Sequence, residues 1–220
     1  MSLEALLGSA SRGHGAQPLD LLVTLTMLSL VPLVLVMCTS FVRIVVVLSL
    51  VRSAIGASAL PPNAVLTGLA LVLTLVVMAP TGQQIGRDAL DPYSHGRLSP
   101  SQALTRAMGP LRSFMLRQTR AADVVLFERV AHRAPEPERQ APMTVLVPAF
   151  VVGELRSAFA IGFALYLPFV AIDLAVAAML MGLGMMMLSP PVVSLPVKLL
   201  LFVMVDGWAL LCGGVAGSFR

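Results

Sequence analysis

Four stretches of the chain are strongly apolar, and polar or helix-breaking residues separate them. They cover residues 19–50, 64–79, 143–188 and 192–219. About 20 apolar residues suffice to cross the hydrocarbon core of a bilayer as one helix. The pattern therefore predicts an all-α, membrane-associated protein whose hydrophobic segments are helices.

Prolines inside and between these stretches predict kinked or broken helices arranged as two hairpins. We expect a kink at Pro32, a turn at residues 61–63, and the end of the second helix at Pro80. The third stretch is longer than one span and predicts two helical pieces that meet near Pro168. The break at residues 189–191 separates the third stretch from the fourth, which gives the second hairpin.

These boundaries divide the chain into four parts. Residues 1–18 form a polar N-terminal segment without the charge, apolar core and cleavage site of a signal peptide, and residues 19–80 form the first hairpin. Residues 81–142 form a polar, partly helical segment with a linker, which we expect on the periplasmic side, and residues 143–220 form the second hairpin.

One helix start is predicted inside the polar segment. Ser99 stands before Pro100, and Gln102 follows three residues after the serine. A serine cap followed by proline at the first helical position and glutamine at the third is typical of a helix N-terminus. Helical character is expected to extend from there to about residue 131.

Composition agrees with a membrane protein and argues against several other classes. Hydrophobic residues make up 57% of the chain and charged residues only 12%, with a net charge of +4. The basic residues are dispersed and lack interleaved stacking aromatics, so nucleic-acid binding is not predicted. Cys38 and Cys212 both lie in apolar stretches, where a thiol behaves as a small hydrophobic group.

Motifs for catalysis are missing from the sequence. His14, His95 and His132 are scattered through polar segments without the i, i+4 or Cys-x-x-Cys spacing of a metal site. No glycine-rich phosphate loop or nucleophile elbow is present. We therefore predict no enzymatic activity, no cofactor and no bound metal.

Six charged residues stand alone in apolar sequence. They are Arg43, Glu154, Arg156, Asp173, Lys198 and Asp206. A charge facing lipid costs at least about 2.5 kcal/mol, so these residues should form ion pairs between helices or subunits, or should contact a transported substrate. Ion pairs are the favoured interpretation. Lys198 and Asp206 are two turns apart on one predicted helix face, so their partners should lie on neighbouring helices.

The second unusual feature is the run of Met185, Met186 and Met187. Three successive residues cannot share one helix face, but in a loop at a hairpin tip they would present a flexible apolar rim that could seal a pore. Gap-filling methionine in a helical core is the alternative interpretation.

Two aromatic residues, Phe114 and Phe127, lie among the arginines of the polar segment. They indicate an amphipathic helix whose apolar face packs either within the chain or at a subunit interface. The sequence alone leaves both interpretations open. We predict that Phe114 and Phe127 lie at a subunit interface.

Five blocks of sequence carry a resemblance to a known family. They are residues 39–44 (TSFVRI), 59–63 (ALPPN), 112–120 (RSFMLRQTR), 183–187 (LGMMM) and 196–208 (PVKLLLFVMVDGW). Together they make the chain, from about residue 19 to 219, similar to the FliP family of flagellar type III export-gate proteins. The virulence branch of that family, SctR, shares the ends, whereas the polar block is closer to the flagellar branch.

This resemblance implies a function. Family members assemble in several copies with FliQ- and FliR-like partners, and with other export-apparatus proteins, into a helical ring in the inner membrane at the flagellar basal body. Unfolded flagellar subunits pass through its channel, and Met185, Met186 and Met187 correspond to the loop that seals it at rest. The alternatives are a virulence-branch export subunit, a small-solute secondary transporter or a purely structural basal-body protein.

Overall fold

A computed structural model describes residue 29 and residues 36–57, 61–134, 140–185 and 187–219. The predictions made for residues 1–18, Pro32 and Met186 lie outside the described residues. All described helices belong to one compact unit, Met37–Arg220, whereas only Ser29 and Val36 are described in the other unit, Met1–Val36. The described residues contain helices and no strand, which confirms the predicted all-α class.

The first two helices are joined by a short turn. Helix α1 (Phe41–Ile55) ends at Gly56, whose φ of 86° is the left-handed conformation that glycine adopts without strain. Helix α2 (Asn63–Ile85) continues through a π-helical turn, Gly86–Leu90, into the short helix α3 (Asp91–Ser94).

The predicted end of the second helix at Pro80 is wrong, because α2 passes through this residue. A proline removes one backbone hydrogen bond and crowds the preceding turn. Packing on both sides offsets that loss, since Val77 and Met78 contact a buried cluster and Thr81 is only 4% exposed.

The polar segment folds into two amphipathic helices, α4 (Pro100–Gln118) and α5 (Ala121–Val130). The predicted start of α4 is confirmed by a capping box. Gln102 donates its backbone N–H to Ser99 Oγ at 3.3 Å, and Ser99 donates its own to Gln102 Oε1 at 3.1 Å. Thr119 and Arg120 are extended and turn the chain between the two helices.

Helix α6 (Met143–Gly182) has 40 residues and is about 60 Å long at 1.5 Å per residue. Both Pro148 and Pro168 lie inside it, so the prediction of two pieces meeting near Pro168 is wrong. Leu165 and Phe169 pack against the core on either side of Pro168, which supports a continuous helix there.

The fourth apolar stretch, in contrast, is broken into α7 (Pro190–Met204) and α8 (Gly207–Gly217), whose axes differ by 67°. Asp206 has a φ of 50° and ends the helical path. Lys198 and Asp206 therefore do not share one helix face, contrary to the sequence prediction. Gly207 follows at a point where a Cβ atom would collide with the Phe202 ring.

Helix α1 lies at the centre of the main core. Its residues Ile44, Val47 and Leu48 are at most 1% exposed, and α6 packs along it. Asn63–Ser94 and Met143–Gly182 are long and apolar enough to cross a membrane, and the bent α7–α8 pair is a third candidate span. Much of their apolar surface is exposed, which indicates a membrane location.

Candidate gate loop and buried charge pairs

The first buried charge pair joins α1 to α6. Arg43 donates from Nε to Glu154 Oε2 at 2.8 Å and from Nη2 to Glu154 Oε1 at 2.5 Å, and both side chains are at most 5% exposed. The other N–H groups of Arg43 reach the carbonyl and hydroxyl of Ser218 at 3.0 Å and Gln118 Oε1 at 3.3 Å. Its guanidinium also lies 4.0 Å from the centroid of the Phe219 ring.

The guanidinium of this first pair connects four helical regions. Helix α1 supplies the arginine, α6 supplies the carboxylate, and the ends of α4 and α8 supply the remaining acceptors. A planar guanidinium with five donors suits such a junction, because each donor finds an acceptor and the opposite charge is within hydrogen-bond distance.

A second pair fixes α5 against α6. Arg156 donates to both carboxylate oxygens of Asp123, at 2.9 and 2.8 Å. Asp123 is 3% exposed, whereas Arg156 is 44% exposed, so the pair stands at the edge of the core. Arg156 is conspicuous in the sequence because it lies in an apolar stretch, whereas Asp123 is not, because a carboxylate in a polar segment resembles a solvated surface residue. The only available signal was its position in the first turn of an amphipathic helix.

The third pair joins α7 to α6 and α1. Lys198 Nζ donates to Asp173 Oδ2 at 2.5 Å and to the carbonyl of Ala54 at 3.1 Å, where α1 ends. Ser194, one turn before the lysine, donates its hydroxyl to Asp173 Oδ1 at 2.5 Å. Five of the six charges singled out in the sequence thus lie in ion pairs between helices.

Asp206 is the sixth charge, and it is exposed at the break between α7 and α8. Among the described residues it makes no ion pair and no side-chain hydrogen bond. Exposed apolar side chains, including Met204 and Val205, precede it directly. The carboxylate therefore stands without a partner in a largely apolar surface.

The methionine run lies in the connection between α6 and α7. Helix α6 ends at Gly182, and Gly184, with a φ of 76°, reverses the chain. Met185 is 47% exposed and Met187 is fully exposed at 103%. Neither methionine fills a gap in the core of this chain, so the alternative interpretation as core packing does not describe these two residues.

The two phenylalanines of the polar segment differ in their surroundings. Phe114 is 3% exposed and packs edge-on against Phe150, with ring centroids 5.9 Å apart, and parallel to Phe219 at 6.3 Å. Contacts within the chain account for the burial of Phe114, and a role for it at a subunit interface stays a prediction. Phe127 is half-buried beside a small cluster that includes Val124 and Val145.

Residues that could hold a metal do not come together in the part of the chain that the structure describes. No group of three histidine, cysteine, aspartate or glutamate side chains is close enough to share an ion there. Both cysteines are free thiols, with Cys38 buried and Cys212 half-buried.

Long apolar helices, ion pairs between them and an exposed apolar loop define a helical membrane protein. Comparison with known proteins narrows this class. The model of the FliP family matches residues 24–215 of the chain. The flagellar biosynthetic protein FliP of Pectobacterium carotovorum is 52% identical over 201 residues, which cover 90% of this chain and 77% of that protein.

Two further relatives bear the same name. The flagellar biosynthetic protein FliP of Bacillus subtilis is 44% identical over 215 residues, which cover 97% of both chains. That of Buchnera aphidicola from Acyrthosiphon pisum is 47% identical over 204 residues, and the match covers only 54% of its length, so this chain spans about half of that relative. The chain belongs to the FliP family, and it is a component of the flagellar type III protein-export apparatus.

Proposed function

We propose that the chain is a core subunit of the flagellar export gate. Several copies assemble with FliQ- and FliR-like subunits into a ring, and unfolded flagellar subunits cross the inner membrane through its channel at the basal body. The family match over residues 24–215 carries this proposal. The apolar surfaces, the break between α7 and α8 and the methionine loop support it independently.

The exposed apolar surface is larger than a solitary soluble chain would tolerate. It includes much of α2 and α6, where the exposed side chains are Val65, Leu71, Val72, Leu75, Val76, Phe159, Phe163, Leu167 and Leu174. Contiguous apolar surface of this kind marks contact with lipid or with another protein. Ring assembly would cover a large part of it.

The break between α7 and α8 favours protein neighbours over lipid at that place. Backbone groups that leave a helix inside the hydrocarbon region are tolerated only where protein or a water-filled cavity surrounds them. The break also leaves Asp206 exposed and without a partner among the described residues. A neighbouring subunit that supplies a cation or a hydrogen-bond donor would satisfy both requirements.

The methionine loop is suited to closing a channel. Met185 and Met187 are exposed at the turn between α6 and α7, and Leu183 and Leu188 extend the apolar surface on either side. Thioether side chains are flexible, so they can pack against copies of themselves and make way for a passing chain. A narrow apolar ring blocks ions by excluding water. In the proposed ring, residues 185–187 of neighbouring copies meet at the constriction.

Ion leakage through the resting gate tests the role of this loop. Cells that express the chain with its partners would carry the variant M185A/M186A/M187A, and a voltage-sensitive dye would report the membrane potential. We expect a leak, because alanine leaves the constriction open to water. The matched variant M185L/M186L/M187L keeps the apolar bulk and should remain tight. An alanine variant that holds the full membrane potential would refute the gasket role.

Assembly is tested separately by cryo-electron microscopy of the complex purified after co-expression with FliQ- and FliR-like partners. The expected result is a closed ring with residues 185–187 at its narrowest point. A monomer with an internal solute cavity would contradict the proposal and would favour a small-solute transporter.

A further inference from the structure

A polar cavity of about 230 Å³ lies where the start of α1, the corner between α4 and α5, α6 and the end of α8 meet. Its lining is unusually cationic for a cavity of this size. Three arginines and three hydroxyl-bearing residues contribute to it: Arg43, Arg117, Arg120, Thr119, Ser157 and Ser218.

The free positive charge of the cavity comes from two of the arginines. Arg43 is neutralised by Glu154, and all five of its N–H groups already have acceptors. Arg117 and Arg120 are exposed, and within the described ranges neither side chain forms an ion pair or a hydrogen bond. Two guanidinium groups therefore line one cavity without an anion.

Additional donors surround these guanidinium groups. The hydroxyl of Ser157 has no hydrogen-bond partner among the described residues, whereas those of Thr119 and Ser218 donate to backbone carbonyls. Helix α5 begins directly after Arg120 without a side-chain cap, so the N–H groups of Ala121 and Ala122 add partial positive charge, which the Asp123 carboxylate in the same turn partly offsets.

The surrounding surface also attracts anions. Residues 99–134 contain six arginines and only two carboxylates, Asp123 and Glu128, and both carboxylates are buried. The exposed charge of this segment is therefore almost entirely positive. Such a surface raises the local concentration of anionic ligands.

A second cavity, of about 320 Å³, adjoins the first through Arg117. Most of its remaining lining is apolar and comes from α2, α4 and the C-terminal end of the chain, including Val77, Pro80, Phe114 and Phe219. One arginine thus stands between a cationic cavity and an apolar cavity. A ligand that fits both has an anionic group attached to a hydrocarbon chain.

We propose that these two cavities bind an anionic phospholipid. The phosphate group lies in the polar cavity between Arg117 and Arg120 with the Ser157 hydroxyl as a further donor, and one acyl chain begins in the apolar cavity. Guanidinium forks match the geometry of phosphate oxygens, and such charge-assisted hydrogen bonds are stronger than neutral ones. A membrane location makes the lipid an abundant source of phosphate.

Lipid binding is measured by native mass spectrometry of the full chain, purified with its partners in detergent. The probes are dioleoylphosphatidylglycerol, dioleoylphosphatidylcholine and, as the headgroup alone, glycerophosphoglycerol. We expect phosphatidylglycerol to bind at least about tenfold more tightly than phosphatidylcholine, and the headgroup alone to bind weakly. Equal binding of the two lipids would overturn the proposal. Displacement of the lipid by millimolar inorganic phosphate would instead identify free phosphate as the ligand.

Two double variants locate the site. R117Q/R120Q removes both free guanidinium groups, and we expect at least about a tenfold loss of phosphatidylglycerol affinity, since each lost charge-assisted contact has a cost of this order. R106Q/R129Q removes two exposed arginines of the same segment outside the cavity and should bind like the unmodified chain. Equal losses in the two variants would indicate attraction by surface charge alone and would refute the site.

Protein folding is checked in the same samples. Arg117 and Arg120 lack partners in the described structure, so the thermal unfolding midpoint of R117Q/R120Q should stay near that of the unmodified chain. If it falls, R117K/R120K keeps both charges and removes only the planar fork. We then expect that variant to retain the preference for phosphatidylglycerol with reduced affinity, and loss of the preference for anionic lipid would count against the site.

Discussion

Arg43 and Glu154 are 111 residues apart in sequence, and two N–H···O hydrogen bonds of 2.8 and 2.5 Å join them inside the core. The pair allows the start of α1 to be buried although it carries a charge. Removing either partner alone leaves an ion in an environment without water, whereas replacing both with apolar groups removes the desolvation cost as well.

Glu154→Gln should therefore strongly destabilise the fold. The glutamine still accepts a hydrogen bond but cannot neutralise Arg43, and breaking a buried pair on one side costs about 3–5 kcal/mol. Thermal unfolding of the purified chain in detergent measures this loss. The double variant R43M/E154M should recover at least half of it. If the double variant is as unstable as E154Q, charge pairing is not the source of the effect.

Substitution of Arg156 should lower the stability of the fold more than substitution of its partner Asp123, because only the carboxylate is buried. Arg156→Gln leaves that carboxylate without a cation and should cost about 2 kcal/mol, whereas Asp123→Asn frees an arginine that can turn to solvent and should cost about half as much. Hydrogen exchange of the α5 amides reports the loss. Arg129→Gln, at an exposed position on the same helix, should leave the exchange unchanged.

Close packing between α1 and α6 depends on Gly162. A Cβ atom there would collide with the Leu50 side chain, so Gly162→Ala should lower the stability of the fold by about 1–3 kcal/mol, as overpacking does. Gly153→Ala on the same helix is the control, since its new methyl group would stand 3.7 Å from Asp123 Oδ2, an ordinary contact distance.

A second-site change makes this prediction sharper. Leu50→Ala in the G162A background should raise the unfolding midpoint above that of G162A alone, because it removes Leu50 Cδ1, the atom that would lie closest to the new methyl group. A further decrease would show that G162A acts through a contact other than the one with Leu50, because alanine in place of glycine inside a helix favours the helix.

Local features of the fold could be predicted from the sequence, and features set by packing could not. The cap at Ser99 depends on residues within one turn, so its geometry follows from the sequence. The continuity of α2 through Pro80 and of α6 through Pro168 depends on contacts with other helices, and those contacts outweigh the local cost of proline.

The same distinction between local features and features set by packing applies to the candidate sites. Isolated charges in apolar sequence were conspicuous, and the energetic argument that they need partners holds for Lys198 and Glu154. Which residues pair is decided by the tertiary fold, so Asp123 was missed. The exposure of Met185 and Met187 was predictable, because a glycine-flanked run of methionines cannot share one helix face.

Asp206 gives the most direct test of whether a charge is reserved for a neighbouring subunit. Asp206→Asn removes the charge and retains a side chain that tolerates the left-handed conformation at φ 50°. We expect the free energy of unfolding of the isolated chain to change by no more than about 0.5 kcal/mol, as for other exposed positions. The yield of complex with FliQ- and FliR-like partners should fall. Asp206→Glu, which restores the charge, should recover part of the yield. An unchanged yield for D206N would show that the carboxylate has no role in assembly, and a lower stability of the isolated chain would assign it to the fold.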